Sequence, residues 1–361
     1  MDKNHYHRYR ALAARPGVTL FGPGLPGYRA GMSLREAVDA ACGGRWPDVV
    51  VHGCDPKTSE VPLVTDLGEA PVPTAVELLD SWAFEDRQVD FIRRHRFTAV
   101  LMQEAGHHID FYRQRCPGVE FVWTPNAVDT RVFRDHAGTR EYDVIVYGAL
   151  NPEVYPLRAR LAALLARQTE FRVLHLPHPG YYPTGAAAAG VVAGADLARA
   201  INRAWLGVAT QSIYRCFLMK YLELGACGTL VAGDVPETAR DVFADDFVDL
   251  RLGDADEVLM AKLRAALADK GRLRDRAAAV ARRVAAGFSL DAFADRILAA
   301  LGRLAAGGGH GSDPPPTAPG APDRSAPGAP RPGAPGRLRR CPGPARGLVL
   351  TPTARPRCLG A

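Results

Sequence analysis

The stretch KYLELGACGTLVAGDVPE, from Lys220 to Glu237, contains the pattern that decides the fold of this chain. Its first part has apolar residues at helical spacing, and Lys220 and Glu223 lie about one turn apart within it. Small residues follow, and the run TLVAG after them has the apolar, branched character of a buried strand. A helix that leads into a buried strand is one repeat of an alternating α/β fold.

The same alternation of apolar runs and helical patterns extends over the first three hundred residues. In the first half the predicted strands are VTLFG (18–22), DVVVHG (48–53), VPLVTDL (61–67), FTAVLMQ (97–103) and VEFVWT (119–124). In the second half they are YDVIVYG (142–148), EFRVLHLP (170–177), RAWLGVAT (203–210), GTLVAGD (228–234) and FVDLRL (247–252). Strands that alternate with helices indicate parallel sheets covered on both faces. We therefore predict two doubly wound α/β domains side by side, joined near residues 124–143.

The predicted boundaries are an N-terminal domain over residues 1–130, a C-terminal domain over 131–305 and a tail over 306–361. The tail is rich in proline, glycine and alanine and nearly free of aromatic residues. Such a composition buries too little apolar surface to offset the entropy of ordering, so we predict a disordered tail whose deletion leaves the melting temperature nearly unchanged. Its last four residues, 358–361, formally fit a prenylation box, a short pattern that chance also produces.

The net charge of +6 arises in the tail, because residues 311–361 contain eight arginines, no lysine and two aspartates. The basic balance therefore does not indicate a nucleic-acid-binding fold. The chain has no apolar run of about 18 residues and no signal-peptide core, so we expect a cytoplasmic protein without a transmembrane segment. The seven cysteines show neither zinc spacing nor a disulfide framework, and we expect Cys216 and Cys227 to be small buried hydrophobes.

Lys220 and Glu223 admit two interpretations. Opposite charges one helical turn apart often form a surface ion pair. The neighbouring residues leave little polar face, however, and the next element is an interior type of strand. In open α/β sheets the ligand lies beyond the carboxyl ends of the strands. At such a position a carboxylate can accept hydrogen bonds from a ribose diol, and a lysine can offset the charge of a diphosphate.

The opening stretch resembles the nucleotide-sugar motif of GT-B glycosyltransferases, specifically the group 1 or family 4-like enzymes, in which a carboxylate precedes A-C-G-T and a strand. PNAVDTRVF (125–133) looks like the interdomain signature of that family, and YDVIVYGALNPEVYPLR (142–158) looks like the opening of its C-terminal domain. GDVPETARDVFADDFVDL (233–250) and DADEVLMAKLRAAL (254–267) are similar to the stretch behind the nucleotide site and to the closing helices. The form K-Y-L-E-L-G-A-C-G looks closest to the spore-maturation (CgeB-like) branch. The resemblance covers residues 120–300 well and residues 1–119 loosely.

This resemblance implies a GT-B fold, in which two Rossmann-like domains face each other across a crevice. It implies transfer of a hexosyl group from a nucleotide-diphosphate sugar, bound by the C-terminal domain, to an acceptor that the sequence does not identify. The residues placed around the donor are Gly148, Asn151, Arg158, Arg215, Lys220, Glu223, Gly225 and Gly228. Glu223 would contact the ribose hydroxyls and Lys220 the diphosphate, while Gly225 and Gly228 would let the helix pack against its strand.

The chain departs from the family pattern at Arg215, where many relatives have a first glutamate eight positions before the second. The sugar contact and the retaining stereochemistry attached to that glutamate are therefore not implied here. Arg215 would instead stabilise the leaving diphosphate through its permanent charge. We expect no cofactor besides the nucleotide sugar, and no metal, because the scheme that the resemblance implies requires none.

An acid–base residue is expected where a strand of the first domain ends at the crevice. His52 and Asp66 lie at the ends of the second and third predicted strands, and Glu104 follows the fourth. The sequence does not choose among these three, because it does not give the order of the strands in space. Two other functions remain open: a nucleotide-sugar epimerase on the same fold, and a non-catalytic nucleotide- or sugar-binding module. The oligomeric state is not indicated.

Overall fold

The computed structural model describes residues 4–53, 61–178, 191–307 and 347–350. The strands are β1 Val18–Phe21, β2 Val49–His52, β3 Thr74–Leu78, β4 Ala99–Met102, β5 Glu120–Trp123, β6 Tyr142–Tyr147, β7 Val173–Leu176, β8 Ala204–Val208, β9 Leu230–Gly233, β10 Val248–Asp249 and β11 Gly347–Leu350. The helices are α1 Asn4–Ala13, α2 Leu34–Cys42, α3 Glu85–Arg94, α4 His107–Arg115, α5 Pro156–Ala166, α6 Gly194–Asn202, α7 Met219–Ala226, α8 Arg240–Phe243, α9 Asp256–Ala268, α10 Lys270–Phe288 and α11 Leu290–Ala305. The strands form two parallel sheets, which confirms the predicted α/β fold class.

The first sheet has the strand order β1-β11-β2-β3-β4-β5 and is covered on both faces. One face packs against α2, α3 and α4, as in the cluster of Val50, Val76 and Ile92. The other face is covered by α1 and α11, whose Phe293 joins the cluster that includes Val49. The first sheet and the helices packed on it form the first unit, and the second sheet with its helices forms the second unit. Helix α11 therefore completes the core of the first unit, although it lies within residues 131–305 of the chain. The physical reason is that α11 carries the apolar stripe that this face of the first sheet must bury.

The second sheet has the order β10-β9-β8-β6-β7. From β6 the chain passes through α5 to β7 on one side, and it then returns to β8 on the other side of β6. The loops after β6 and β8 therefore diverge from two adjacent strands, which makes a topological switch point at their carboxyl ends. In open α/β sheets this is where a ligand crevice forms.

The predicted strand at 61–67 is wrong. Its backbone is satisfied outside any sheet, since the Leu63 N–H donates to His52 Nε2 and the Thr65 N–H donates to the Met32 carbonyl, before a short 3-10 helix at Leu67–Glu69. The strand between β2 and β4 is instead β3, which was not predicted. It contains a charged residue, Glu77, that is 5% exposed and pairs with Arg8 at 3.1 Å.

Strand β11 lies within the predicted disordered tail, of which residues 308–346 and 351–361 are outside the described residues. Its four residues pair in parallel with β1 on one side and β2 on the other, and Leu348 and Val349 are buried. The run GLVL is the apolar, branched part of a tail that is otherwise rich in proline, glycine and alanine. Paired on both sides, these residues gain enough burial and hydrogen bonding to offset ordering.

None of the helices in the described ranges combines the length and the apolar composition needed to cross a bilayer.

We predict that Leu348→Ala lowers the free energy of unfolding by about 3 kcal/mol, because it deletes a fully buried side chain in a central strand. The matched control is Leu252→Ala, since Leu252 is 49% exposed and should lose little. Urea denaturation of both variants measures the difference. Equal stability of the two variants would contradict the packing of β11 in the sheet. It would agree instead with a tail that can be deleted without loss of stability.

Candidate functional site

Helices α5 and α7 begin at the carboxyl ends of β6 and β8, the two adjacent strands of the switch point. Their first turns direct backbone N–H groups and the positive ends of the helix dipoles toward the same edge of the sheet. Arg158 lies in the first turn of α5 and Lys220 in the first turn of α7. Two helix N-termini and two cations therefore make this edge attractive to an anion.

Arg158 bridges the two loops of the switch point. Its guanidinium donates to the Ala149 carbonyl at 3.2 Å, in the loop after β6, and to the Thr210 carbonyl at 2.9 Å, in the loop after β8. The side chain is 2% exposed and lies 4.0 Å from the centroid of the Tyr155 ring. Its Nε has no hydrogen-bond partner among the described residues, so one buried donor is left unused.

Lys220 and Glu223 are joined through Tyr147, the last residue of β6. The ammonium of Lys220 donates to the Tyr147 carbonyl at 2.6 Å and lies 3.2 Å from the centroid of its ring. The Tyr147 hydroxyl donates to Glu223 Oε2 at 3.0 Å. Burial lowers the pKa of Lys220, as does the nearby Arg158, whereas Glu223 opposes the shift; burial raises the pKa of Glu223. Since Lys220 is 8% exposed, the surface ion pair is excluded.

Gly148 immediately follows β6 and packs against these cations. Its φ is +87°, and a Cβ at this position would lie 2.6 Å from Lys220 Nζ and 3.6 Å from an Arg158 amino group. Gly148, Arg158 and Lys220 are thus brought together at this edge of the sheet. Asn151 lies in the same loop, but it is exposed and its side chain accepts a hydrogen bond from the Glu153 N–H, which turns the chain toward α5.

Two further titratable residues that the sequence reasoning did not place in the site follow neighbouring strands at this edge. Asp234 follows β9 and accepts from the Gln211 N–H at 3.0 Å, and burial raises its pKa to about 6. His178 follows β7; burial first, and then Lys220 and Arg158, lower the pKa of its imidazole. Asp234 ends the predicted strand 228–234 and His178 follows the predicted strand 170–177, so position at a strand end was the available signal.

Gly225 and Gly228 do not lie at this edge, because α7 runs away from it toward the amino ends of the strands. A Cβ at Gly225 would meet Val280 and Val284 of α10 at 3.0 Å each, so this glycine permits helix–helix packing. The prediction that it packs against its strand is therefore wrong. Gly228, with φ +63°, precedes β9 and lies near Asp135.

The surroundings of His52 and Asp66 do not fit the catalytic role expected for them. His52 is 1% exposed, accepts from the Leu63 N–H at 3.1 Å, and packs 5.6 Å from the ring centroid of Phe91. Asp66 is exposed in a left-handed turn with φ +60° and accepts from the Thr65 hydroxyl. Because 61–67 is not a strand, Asp66 does not occupy a strand end, which was the reason for proposing it.

Glu104, the third candidate, lies where the two units meet. It follows β4, is 2% exposed, and its Oε2 accepts from the Phe217 N–H of the second unit at 2.9 Å. Asn126 donates to the Phe217 carbonyl at 3.3 Å. Burial raises the pKa of Glu104 to about 7, although the hydrogen bond from Phe217 acts in the opposite direction.

The segment between β8 and α7, residues 209–218, is held by two further side chains of the first unit. His108 Nε2 lies 2.9 Å from the Tyr214 carbonyl and must carry the proton there, because a carbonyl only accepts. The Trp82 and Tyr214 rings stack with centroids 3.9 Å apart. Arg215 follows Tyr214 with φ +57°, is exposed, and makes no side-chain hydrogen bond or ion pair with the described residues.

The described residues contain no group of three or more His, Cys, Asp or Glu side chains that could hold a metal ion.

Residues 156–299 match the family described as glycosyl transferase-like. The match runs from α5 into α11 and so includes Arg158, Lys220 and Glu223. No curated protein matches the chain.

Similar solved structures include a sucrose-phosphate synthase from Thermosynechococcus elongatus, at 13% identity and a TM-score of 0.47, over 66% of this chain and 69% of that one. A trehalose-6-phosphate synthase is 10% identical, with a TM-score of 0.48, over 73% of this chain and 75% of that one. The pneumococcal O-GlcNAc transferase in complex with UDP and GlcNAc is 11% identical, with a TM-score of 0.43, and the match spans 64% of this chain and 53% of that one. At these scores the fold assignment depends on the chain's own two sheets.

We predict that Gly148→Ala lowers the free energy of unfolding by about 2–4 kcal/mol, from a strained backbone and from a contact with Lys220 Nζ. Gly31→Ala is the matched control, because Gly31 has φ +79° and no atom lies within 4 Å of the point that its Cβ would occupy. It should lose only the backbone part, about 1–2 kcal/mol. Urea denaturation measures both losses, and equal losses would contradict the packing of Lys220 behind Gly148.

The raised pKa of Glu104 predicts a pH dependence of stability. Between about pH 4.5 and 7 the folded protein keeps a proton on Glu104 that the unfolded chain releases, so stability falls as the pH rises through this window. The shift corresponds to roughly 3 kcal/mol. In Glu104→Gln the free energy of unfolding should change less between pH 5 and pH 8 than in the wild type. Denaturant unfolding at several pH values measures this, and identical slopes would contradict the shift.

Proposed function

We propose that this chain is a glycosyltransferase that transfers a sugar from a nucleotide-diphosphate sugar to an acceptor. The observation that carries the proposal is the arrangement of Lys220, Tyr147 and Glu223 at the carboxyl ends of β6 and β8. It combines a buried cation and a carboxylate where two helix N-termini meet, which suits a ligand that contains both phosphates and hydroxyls. The family match over residues 156–299 supports this proposal, because it includes these residues.

In this scheme the diphosphate of the donor lies over the N-termini of α5 and α7. Backbone N–H groups of the loop after Gly148 approach it, since no side chain fits at that position. The buried Arg158 and Lys220 contribute positive charge from behind the loop. A buried cation acts strongly on a nearby phosphate because little water screens it.

Glu223 binds the ribose of the donor in the same scheme. Tyr147 holds its Oε2, while the carboxylate's other oxygen makes no hydrogen bond with the described residues. That oxygen is available to accept from a ribose hydroxyl, and Tyr147 keeps the carboxylate in one orientation. The Glu223 side chain is half-buried, so it is accessible to a ribose hydroxyl.

Arg215 stabilises the diphosphate as it leaves. Its guanidinium is always charged, and it is exposed in the loop of the second unit that the first unit contacts. A donor fixed where negative charge develops in the transition state lowers the barrier for transfer. Contact between the units excludes water, which limits hydrolysis of the donor as a side reaction.

The form K-Y-L-E-L-G-A-C-G supports assignment to the spore-maturation (CgeB-like) branch. We extend the proposal to hexosyl transfer in the cytoplasm, with no metal and no cofactor besides the nucleotide sugar.

The direct test is incubation of the protein with a panel of nucleotide sugars in the absence of acceptor. Slow release of free nucleotide supports the transferase. A changed sugar that is still attached to its nucleotide would identify an epimerase instead, and binding without turnover would identify a non-catalytic module. A thermal-shift screen of the same panel selects the donor, since a ligand at about 100 times its dissociation constant stabilises by roughly 2.7 kcal/mol.

We predict that Glu223→Ala weakens binding of the selected nucleoside diphosphate by about 1–3 kcal/mol, because the variant loses the hydrogen bond to ribose. The control is Glu257→Ala, which removes an exposed carboxylate in the first turn of α9. Isothermal titration calorimetry measures both affinities. Unchanged affinity in a folded Glu223→Ala variant would exclude Glu223 from the donor site.

A further inference from the structure

Phe217 is the residue at which the first unit holds the segment that leads into α7. Its N–H donates to Glu104 at 2.9 Å, and its carbonyl accepts from Asn126 at 3.3 Å. Phe217, Glu104 and Asn126 are all buried, at 1%, 2% and 5% exposure. A backbone held from both sides cannot shift without leaving at least one buried polar group unsatisfied, which is costly.

Arg215 lies two positions before Phe217, directly after Tyr214. Its φ of +57° is a left-handed conformation that non-glycine residues keep only where the surroundings impose it. The surroundings do so on both sides: Glu104 and Asn126 hold Phe217, while Trp82 and His108 hold Tyr214. The exposed Arg215 is thus fixed in one backbone conformation between two anchored residues.

We propose that Glu104 and Asn126 are positioning residues, which hold the Phe217 backbone and thereby keep Arg215 in the conformation that presents its guanidinium at the junction of the two units. The inference rests on the proposed function, in which Arg215 stabilises the leaving diphosphate. Its consequence is that residues of the first unit control a group of the donor site, so that Arg215 is in place only while the units are in contact. Donor cleavage is thus coupled to the presence of the unit that would supply the acceptor.

This role differs from the acid–base role that the sequence suggests for Glu104. A group that transfers a proton must reach the substrate, whereas the Glu104 carboxyl is buried and engaged with a backbone N–H. Burial raises its pKa to about 7, but both the carboxylate and the carboxylic acid have an oxygen that accepts from Phe217. The contact therefore survives protonation.

Limited proteolysis with trypsin tests the structural half of the proposal without any ligand. Trypsin cleaves after arginine when the local chain is free to extend, so cleavage after Arg215 reports release of the segment. We expect Glu104→Ala and Asn126→Ala to accelerate this cleavage roughly tenfold, since each loses one buried hydrogen bond. Glu104→Gln, which keeps an acceptor oxygen, should remain within about twofold of the wild type.

Mass spectrometry of the fragments identifies the cleavage site, and Glu257→Ala is the control for an exposed carboxylate removed elsewhere. Equal acceleration at all sites in Glu104→Ala and Asn126→Ala, or none after Arg215, would overturn the proposal. If Glu104→Ala does not fold, Asn126→Ala and Glu104→Gln still decide the outcome.

A double-mutant cycle on nucleotide release tests the functional half. We expect Arg215→Ala to lower kcat by about 100-fold and Asn126→Ala by about tenfold, with little further loss when the second change is made in the Arg215→Ala background. Losses that multiply in the double variant would show that Asn126 acts independently of Arg215, and would overturn the positioning role. If the protein releases no nucleotide at all, the proposed function fails, while the proteolysis result still decides whether the segment is held by Glu104 and Asn126.

Discussion

The hydrogen bond from the buried Lys220 ammonium to the Tyr147 carbonyl is the interaction on which the candidate site depends. A buried cation is costly unless its surroundings compensate it, and here the carbonyl, the Tyr147 ring and Glu223 do so. This requirement ties the start of α7 to the end of β6. It also explains Gly148, because any side chain there would occupy the space of the ammonium.

A buried carboxyl group, that of Glu104, connects the two units. Glu104 accepts a hydrogen bond from the Phe217 N–H, so a carboxyl of the first unit holds the backbone of the second unit in place. The chain also crosses between the units near Val128 and Ser289, and α11 returns to complete the first core. Each unit therefore depends on contacts from the other, and contacts made by the first unit act on the site of the second.

Most of the fold could be predicted, because the apolar runs of nine strands have local periodicity that is readable without tertiary structure. The failures have specific causes. Strand β3 contains Glu77, and a charged residue is not expected in a central strand. Its pairing with Arg8, which explains its burial, is visible only in the structure. The run at 61–67 has strand-like composition, yet its backbone groups bond to His52 and to the Met32 turn. Residues 347–350 form β11 because they pair with the strands on either side, β1 and β2, which the composition of the tail does not indicate.

By itself the sequence determined that helices and buried strands alternate, and that Lys220 and Glu223 share one helical face, because both follow from spacing over a few residues. Only the tertiary structure decided that Tyr147 stands between these two charges and that Arg158 joins the two loops. It also decided that Glu104 faces Phe217 rather than a substrate. The physical reason is that partners of buried polar groups are chosen by packing: Arg8 and Glu77 lie 69 positions apart and Glu104 and Phe217 lie 113 apart, distances over which no local pattern specifies a contact.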